Sequence, residues 1–396
     1  MHLIAFDSRW SPVWSDLDGD GYPELILACE WGPIRVFKNQ AGHLHEITKE
    51  LGLDRYTGWW RGVTTGDIDG DGRLDIIASN WGLNSEYQAS SNQPARLYYG
   101  DFSDRGALDL IEAVYDPLHN AEIPRRMRDA LASAYPPLTG RFPTHKAYAE
   151  ATMEQILGLL PKPAEQVQAT TLASTVFFNR TNHFEAVELP YQAQIAPGFA
   201  VSVGDFDGDG IEDVFLSQNF FAMATRMLRP DDAGYRLDAG RGLWLRGSGG
   251  GRLEAVPGQK SGILVYGEQR GAALCDFDGD GRVDLAVSQN GAETKLYRNV
   301  LGKPGLRVRL RGPAGNPDGV GATLRLVFGE RLGAAQEIHG GSGYWSQDSV
   351  VQVLGCPEAP TQIWVRWPGG KTTTSAIPAG AKEITVDPGG KVTVNR

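Results

Sequence analysis

The chain has 396 residues, enough for two or three domains with sizeable cores. Its formal charge of −10 and its lack of a basic stripe argue against nucleic acid and anionic membranes as partners. No apolar stretch reaches the roughly 18 residues that a membrane-spanning helix needs, so no membrane span is predicted. The three cysteines, Cys29, Cys275 and Cys356, are too few for a disulfide framework.

One nine-residue pattern occurs four times, with carboxylates at positions 1, 3, 5 and 9 and glycine at position 6. Carboxylates this close repel one another unless a hard cation lies among them. Ca²⁺ accepts six to eight oxygens at about 2.3–2.6 Å, and the glycine allows the loop to turn around it. The pattern predicts about four structural Ca²⁺ ions, which would bring the formal charge to about −2. The copies are DLDGDGYPE (Asp16–Glu24), DIDGDGRLD (Asp67–Asp75), DFDGDGIED (Asp205–Asp213) and DFDGDGRVD (Asp276–Asp284).

Each predicted cage takes four side chains and the backbone carbonyl of position 7. The predicted ligands are Asp16, Asp18, Asp20, Tyr22 and Glu24; Asp67, Asp69, Asp71, Arg73 and Asp75; Asp205, Asp207, Asp209, Ile211 and Asp213; and Asp276, Asp278, Asp280, Arg282 and Asp284.

The flanks of the loops distinguish between calcium architectures. An EF-hand needs a bidentate Glu at position 12, where this chain has Leu27, Ala78, Leu216 and Val287. Short β-rich segments lie on both sides of the loops, so each loop is predicted to join two antiparallel strands as a hairpin. Third strands are read at IRVFKN after the first loop, RLYYG after the second, Val176–Asn179 further along, and KLYRN after the fourth. Units of this kind bury little alone and must stack, as the blades of a β-propeller do.

Two further segments interrupt or follow the repeats. A degenerate copy near Tyr98 keeps Asp101 and Asp109 but has Ser103 and Arg105 at ligand positions, so no metal is predicted there. Residues 120–163 contain apolar residues at helical spacing and predict a helical hairpin inserted within a blade. From residue 303 the acidic pattern stops, and short strands predict a β-sandwich. The predicted domains are therefore residues 1–302 and 303–396.

Several segments carry a resemblance to a known family. EWGPIRVFKNQAGH, AQIAPGFAVSVGDFDGDGIEDV and the tail GVGATLRLVFGE…GSGYWSQDS…IWVRWPGG are similar to bacterial cartilage-acidic-protein-like proteins. That family has FG-GAP/VCBS repeats and a C-terminal ASPIC/UnbV domain. The resemblance implies an all-β fold, a β-propeller of calcium-binding blades followed by the sandwich. Its propellers commonly have more blades than are visible here, so blades missing upstream of Met1, a partner chain that completes the ring, or a smaller propeller all remain open.

A candidate binding face is predicted where the second strand of each blade ends, opposite the acidic loops. Amides and aromatic rings around a concavity suit glycan binding. The alternative is that Trp31 and Trp81 only fill space between blades. The Gly-rich tail segment Gly340–Ser349 is read as a structural loop. The predicted ligand-binding residues are Glu30, Trp31, Asn80, Trp81, Asn219, Phe220 and Asn290.

The function predicted from these features is a non-catalytic calcium-binding adhesion protein that recognises glycan or protein. No catalytic residues are assigned, because neither a His-Glu-x-x-His motif nor zinc-ligand spacing is present. Two alternatives are an enzyme or accessory protein of polysaccharide or natural-product (enediyne-type) metabolism, and a structural subunit of a larger assembly. No signal peptide is visible, but extracellular-type calcium sites, with dissociation constants of about 10⁻⁴–10⁻³ M, would be empty in a cytosol. An extracellular, periplasmic or cell-surface location is therefore expected.

Overall fold

The structure, a computed structural model, describes residues 11–85, 87–103, 105–221 and 236–396. The signal-peptide expectation concerns an N-terminal segment that lies mainly outside these residues. The fold is all-β, as predicted, and consists mainly of small antiparallel sheets. In the part of the chain described, no sheet closes on itself.

The first sheet has the strand order β1-β2-β4-β5, and the first acidic loop joins its first two strands. Ser15 pairs with Glu24 across the loop, so the hairpin prediction is confirmed here. Two short strands, β3 and β6, pair separately beside this sheet. The strands are β1 (Ser11–Ser15), β2 (Glu24–Ala28), β3 (Glu30–Gly32), β4 (Arg35–Gln40), β5 (His43–Glu46) and β6 (Gly58–Trp59).

The second sheet begins with β7 (Val63–Gly66) and β8 (Asp75–Ala78), joined by the second acidic loop. The chain then leaves this sheet and builds a separate four-stranded sheet with the order β11-β10-β9-β12. Its strands and helices are β9 (Ala95–Gly100), β10 (Asp109–Asp116), β11 (Ala121–Pro124), α1 (Arg128–Ala134), α2 (Leu138–Arg141), α3 (His145–Ala149), α4 (Met153–Leu157) and β12 (Glu165–Ala169).

Two predictions about this insertion are wrong. RLYYG is not the third strand of the second repeat: it forms β9 of the inserted sheet, and β13 (Thr175–Asn179) pairs with β8 instead. The helical hairpin is four short helices, because Pro136 and Pro137 end the first one and the side chains of Thr144 and Thr152 cap new ones. The degenerate copy near Tyr98 does form a hairpin, β9–β10.

The second sheet is completed by β14 (Phe184–Glu188), and a short 3₁₀ helix at Tyr191–Ala193 leads to the third. The third sheet has the order β15-β16-β19-β20, and the fourth has three strands in the described residues, β21-β22-β23. The remaining elements of this region are β15 (Gly198–Gly204), β16 (Asp213–Gln218), β17 (Phe220–Phe221), β18 (Arg236–Leu237), β19 (Leu243–Gly247), β20 (Leu253–Val256), α5 (Gly258–Ser261), β21 (Glu268–Cys275), β22 (Asp284–Asn290) and β23 (Ala292–Tyr297).

The four sheets with acidic loops stack in chain order, and their first strands β1, β7, β15 and β21 contact one another in that series. Buried apolar residues fill the spaces between neighbouring sheets, so each sheet completes the core of the next. Each cluster combines residues of two neighbouring sheets, for example Ile26 and Phe177, Ile77 and Val214, and Phe215 and Leu285.

The tail consists of two sheets with a shared core, ordered β28-β24-β31-β32 and β26-β25-β29-β30, with β27 also pairing with β25. One pair, β24 with β31, is parallel. The strands are β24 (Leu306–Leu310), β25 (Thr323–Phe328), β26 (Arg331–Leu332), β27 (Gln336–Glu337), β28 (Gln352–Leu354), β29 (Gln362–Arg366), β30 (Thr372–Ala376), β31 (Glu383–Val386) and β32 (Val392–Val394).

Residues Gly340–Ser349, called the tail hairpin below, run along the first strands of the four sheets. Its base lies near the acidic loops, where Asp348 accepts a hydrogen bond from the N–H of Leu274 (2.7 Å). Its tip lies at the opposite ends of the strands, where Gly343 exchanges two backbone hydrogen bonds with Val63 (3.1 Å each) and accepts one from the Ser11 hydroxyl. The Tyr344 ring packs on Phe199 of β15 at 5.5 Å. The Gly-rich segment is therefore structural, and it reaches from one face of the sheet stack to the other.

Candidate functional site

The four acidic loops share one backbone geometry. The glycines at position 6 have φ angles of 84° to 91°, a left-handed conformation that favours glycine. In each loop the position-1 carboxylate accepts the N–H of that glycine, which folds the loop back on its own beginning. These hydrogen bonds join Asp16 with Gly21, Asp67 with Gly72, Asp205 with Gly210, and Asp276 with Gly281.

The position-9 carboxylate connects the hairpin to the third strand of its sheet. In Asp213, one oxygen accepts the N–H of Phe206 in the loop (2.9 Å) and the other that of Gly247 in β19 (2.7 Å). Asp75 and Asp284 make the equivalent pairs of hydrogen bonds. Glu24 differs: Oε2 accepts the N–H of Leu17 (3.0 Å), and Oε1 is buried without a hydrogen-bond partner.

The carboxylates converge in every loop. In each group, three carboxylate oxygens lie within 4.8 Å of one another. The groups combine positions 1, 3 and 9 in three loops and positions 1, 3 and 5 in the second. They are Asp16, Asp18 and Glu24; Asp67, Asp69 and Asp71; Asp205, Asp207 and Asp213; and Asp276, Asp278 and Asp284.

The electrostatics of the clusters fit a bound divalent cation. Burial, with smaller contributions from neighbouring carboxylates, raises the pKa of Glu24 and Asp213 to about 8, of Asp75 to about 7 and of Asp205 to about 6. Four cluster oxygens are buried without a hydrogen-bond partner: Asp16 Oδ1, Glu24 Oε1, Asp67 Oδ1 and Asp207 Oδ1. Hard oxygen ligands with unused lone pairs are the donor set that Ca²⁺ prefers, so these residues fit the ion.

Of the ligands predicted at position 5, one carboxylate lies in a convergent group and three do not. Asp71 joins its cluster, whereas Asp20, Asp209 and Asp280 lie outside the convergent groups. All four position-5 carboxylates accept the N–H of position 7. The carbonyls of Tyr22, Arg73, Ile211 and Arg282 stay predicted ligands, as do the three position-5 carboxylates outside the groups.

A basic side chain from the third strand, or just after it, lies over each loop. It forms ion pairs with the carboxylates at positions 3 and 5, as Arg246 does with Asp207 (2.5 Å) and Asp209 (3.0 Å). The same place is taken by Lys38, Arg180 and Arg298 in the other sheets. Sequence analysis did not predict these residues, because their distance from the loop along the chain varies.

The tail packs against all four loops. Arg366 forms an ion pair with Asp16 (Nε–Oδ2 3.0 Å), Arg307 pairs with Asp276, and Ala335 donates its N–H to Asp67 (2.8 Å). At the third loop, Gln336 donates a hydrogen bond to the buried Glu212 carboxylate (2.7 Å). Each predicted metal site therefore also lies at the contact between the sheets and the tail.

The predicted binding residues at the other end of the sheets divide into two groups. Asn80 and Asn219 are fully buried, and their amides hold surrounding loops: Asn80 accepts the N–H groups of Trp59 (3.1 Å) and Trp81 (2.8 Å). These two side chains present no surface to a ligand. Glu30, Trp31 and Phe220 are partly exposed and Asn290 is exposed, whereas Trp81 is 9% exposed.

The aromatic residues of this end form a connected series of ring contacts. Trp31 contacts Trp59 (4.9 Å), Trp59 contacts Trp81 (5.4 Å), and Trp81 contacts Phe220 (5.2 Å). The series continues through Phe199 to Tyr344 and Trp345 at the tip of the tail hairpin. Trp31 and Trp81 thus pack against neighbouring rings, as the space-filling alternative predicted. The series nevertheless ends on Trp345, whose ring is exposed.

Comparisons with known proteins agree with this architecture of acidic-loop β-sheet repeats and a β-rich tail. Residues 16–78 match the FG-GAP-like repeat family, and residues 312–393 match the ASPIC and UnbV family. The chain is similar to cartilage acidic protein 1 of Xenopus tropicalis, with 26% identity over 353 residues. That alignment covers 87% of this chain and 47% of the relative, so the chain spans about half the relative's length.

These matches confirm the resemblance drawn from the motifs. The chain carries an FG-GAP-like repeat and a C-terminal ASPIC/UnbV domain, and it is distantly similar to cartilage acidic protein 1. None of the helices in the described residues is long and apolar enough to span a membrane.

Proposed function

We propose that this protein is a calcium-stabilised, non-catalytic binding protein that acts outside the cytoplasm and recognises a glycan or a protein. The four acidic-loop sheets would be propeller blades and the tail a β-sandwich. The observation that carries the proposal is the set of four partly buried carboxylate clusters, each with three oxygens within 4.8 Å. Like charges held this close, with at least one buried carboxylate in each group, are costly without a compensating cation.

The clusters support a structural role for the ion. Asp75, Asp213 and Asp284 already join their loops to the third strand, and the Glu24 carboxylate is buried and accepts the N–H of Leu17 in its own loop. An ion bound by protein oxygens in this way has little open coordination, and Ca²⁺ is a weaker Lewis acid than the catalytic metals. Binding would stabilise the fold by RT ln(1 + [Ca²⁺]/Kd), about 2.7 kcal/mol per site at a hundredfold excess.

The enzyme alternative is less well supported. A glycosidase needs two carboxyl groups about 5–9.5 Å apart, one of them protonated as the acid. At the sheet ends opposite the loops, Glu30 is ion-paired with Arg61 (2.5 Å) and Glu268 with Arg270 (3.2 Å). Carboxylates held in this way suit binding better than proton transfer. A structural subunit that completes a ring with a partner chain remains the second alternative.

A glycan and protein array, probed with and without a calcium chelator, tests the proposal. We expect hits that require Ca²⁺, together with calorimetric binding of about four ions, one for each loop. Absence of Ca²⁺ binding would overturn the calcium part. Absence of any hit, together with concentration-dependent self-association in sedimentation, would favour the assembly role.

A further inference from the structure

Trp345 is the most unusual residue of the tail hairpin. Its side chain lies at the tip, and the residue is 71% exposed although it is a large aromatic. It also has a φ of 53°, a left-handed conformation that is costly for a bulky residue. Both features are unfavourable for folding and are typical of a residue retained for contact with a ligand.

Residues of both the tail and the acidic-loop sheets surround the tip of the hairpin. Trp345 contacts Tyr344 at 6.4 Å between ring centroids, and Tyr344 packs on Phe199. Two guanidinium groups, those of Arg61 and Arg270, lie 5.6 and 4.0 Å from the centroid of the same Phe199 ring. The tip therefore lies beside two arginines that the sheets provide.

Within the described residues, two ion pairs lie at this surface. Arg61 is paired with Glu30 and Arg270 with Glu268, so the four side chains have no net charge. These side chains are largely buried, with exposures of 13% and 18% for Arg61 and Glu30 and of 20% and 8% for Arg270 and Glu268, so only their edges reach the surface. Asn290, which donates to Glu268 at 2.7 Å, adds an exposed amide.

We propose that this surface, the tip site (Trp345, Arg61, Glu30, Arg270 and Glu268), binds the pyranose ring of a neutral polysaccharide. The inference rests on the proposed function and specifies its ligand. An exposed indole offers an apolar face on which the C–H face of a sugar stacks, and the exposed Asn290 amide with the edges of the ion pairs offers donors and acceptors to its hydroxyls. A charge-balanced site favours neutral over acidic sugars, because an added carboxylate would be desolvated without a free cation to compensate.

Isothermal titration calorimetry of the full chain in Ca²⁺ tests this, with cellohexaose, laminarihexaose, xylohexaose, mannohexaose and hexagalacturonate as probes. We expect at least one neutral hexaose to bind and hexagalacturonate not to bind. Trp345→Gly should weaken that binding at least about tenfold, because the aromatic anchor is lost. Trp345→Phe should retain it within about threefold, because a ring remains.

The glycine variant separates binding from folding. Glycine relieves the left-handed strain at position 345, so the Tm of Trp345→Gly should equal or exceed that of the wild type. Leu118→Ala is the control, since it removes an exposed apolar side chain (92%) outside both the tip site and the acidic loops and should leave hexaose binding unchanged. Glu30→Gln should gain affinity for hexagalacturonate, because it leaves Arg61 without its ion pair.

Three results would overturn the tip site: no binding of any neutral hexaose, unchanged binding by Trp345→Gly, or preferential binding of hexagalacturonate by the wild type. None of them would refute the proposed function, which fails only if Ca²⁺ does not bind or if no ligand of any class is found. Array hits confined to proteins would support the broader proposal and reject the neutral-sugar assignment.

Discussion

At position 9 of the third and fourth acidic loops, one residue serves both the predicted metal site and the sheet. Asp213 is fully buried and bridges its loop and the third strand, while one of its oxygens belongs to the carboxylate cluster. Spacing in the sequence predicted ligands at positions 1, 3 and 9, which are near neighbours along the chain, and carboxylate oxygens of these positions converge in three of the four loops. The basic residues Lys38, Arg180, Arg246 and Arg298 were not predictable in this way, because strand pairing determines which residue reaches the loop.

Stability of the metal-free protein should fall as pH rises from about 4 to about 8. Asp75, Asp205, Asp213 and Glu24 have folded-state pKa values of about 6 to 8, above their usual 3.8 or 4.5. The folded chain therefore retains protons that the unfolded chain releases, and each such group costs up to about 1.4 kcal/mol per pH unit. Calorimetry in EDTA should give a higher Tm at pH 5 than at pH 8.

Saturating Ca²⁺ should remove most of that pH dependence, because the ion compensates the carboxylate charges in place of protons. Asp213→Asn provides the control, since an amide does not titrate and the slope in EDTA should decrease. A Tm in EDTA that is constant or increases between pH 5 and pH 8 would contradict the prediction.

At the scale of elements, an asparagine at the end of the third strand links neighbouring sheets. The amide of Asn179 donates to Leu74 in its own loop (3.2 Å) and to Leu17 in the loop of the first sheet (2.9 Å). Asn299 makes the same two contacts, with Val283 and with Phe206 of the third sheet. Both asparagines occur in third-strand segments recognised from the sequence, but the link to the neighbouring sheet is visible only in the structure.

Asn179→Ala should lower the free energy of unfolding by about 1–3 kcal/mol, because two buried carbonyls lose their donor. Urea denaturation in Ca²⁺ measures the loss. Asn39→Ala is the matched control: Asn39 occupies the same position in the first sheet, is partly exposed, and its amide donates only to Pro23. We expect it to cost less than about 1 kcal/mol. Equal effects of the two substitutions would argue against a link between sheets.

The tail hairpin requires glycine where it passes closest to the strands. A Cβ added at Gly343 (φ 61°) would lie 2.6 Å from the carbonyl oxygen of Val201. Gly343→Ala should therefore cost about 3 kcal/mol or more, combining backbone strain with steric overlap. Gly42→Ala, at a φ of 92° with nothing within 4 Å, should cost only the strain, about 1–2 kcal/mol. Equal losses of Tm would contradict the close approach.

At the scale of the whole molecule, the tail and the metal loops form one interface. Sequence patterns predicted the β-rich tail and its boundary, but they treated it as a separate domain. Contacts such as Arg366 with Asp16 and Ala335 with Asp67 join residues hundreds of positions apart, and no local pattern encodes them. The same limitation led to the wrong assignment of RLYYG, whose partner strands could not be chosen from propensity alone.

Removal of Ca²⁺ should loosen this interface before the tail core unfolds. Without the ion, repulsion among the carboxylates should shift the loops on which the tail packs. Hydrogen exchange in EDTA should accelerate at the amides of Trp14, Val63, Leu274 and Gly343, which bond across the hairpin. Amides between β25 and β29 provide the internal control and should exchange as slowly as before. Unchanged exchange at the four hairpin amides would contradict this coupling.

The position of the tail hairpin also has a consequence for biosynthesis. Ser11 bonds to Gly343, a partner 332 residues later in the chain. At a translation rate of about 5–20 residues per second, the tail hairpin would be synthesised roughly 15–70 s after the first strand with which it bonds. During that interval the first strands lack the tail hairpin that covers them in the folded protein. The ribosome-bound polypeptide should therefore bind holding chaperones until the last hundred residues emerge.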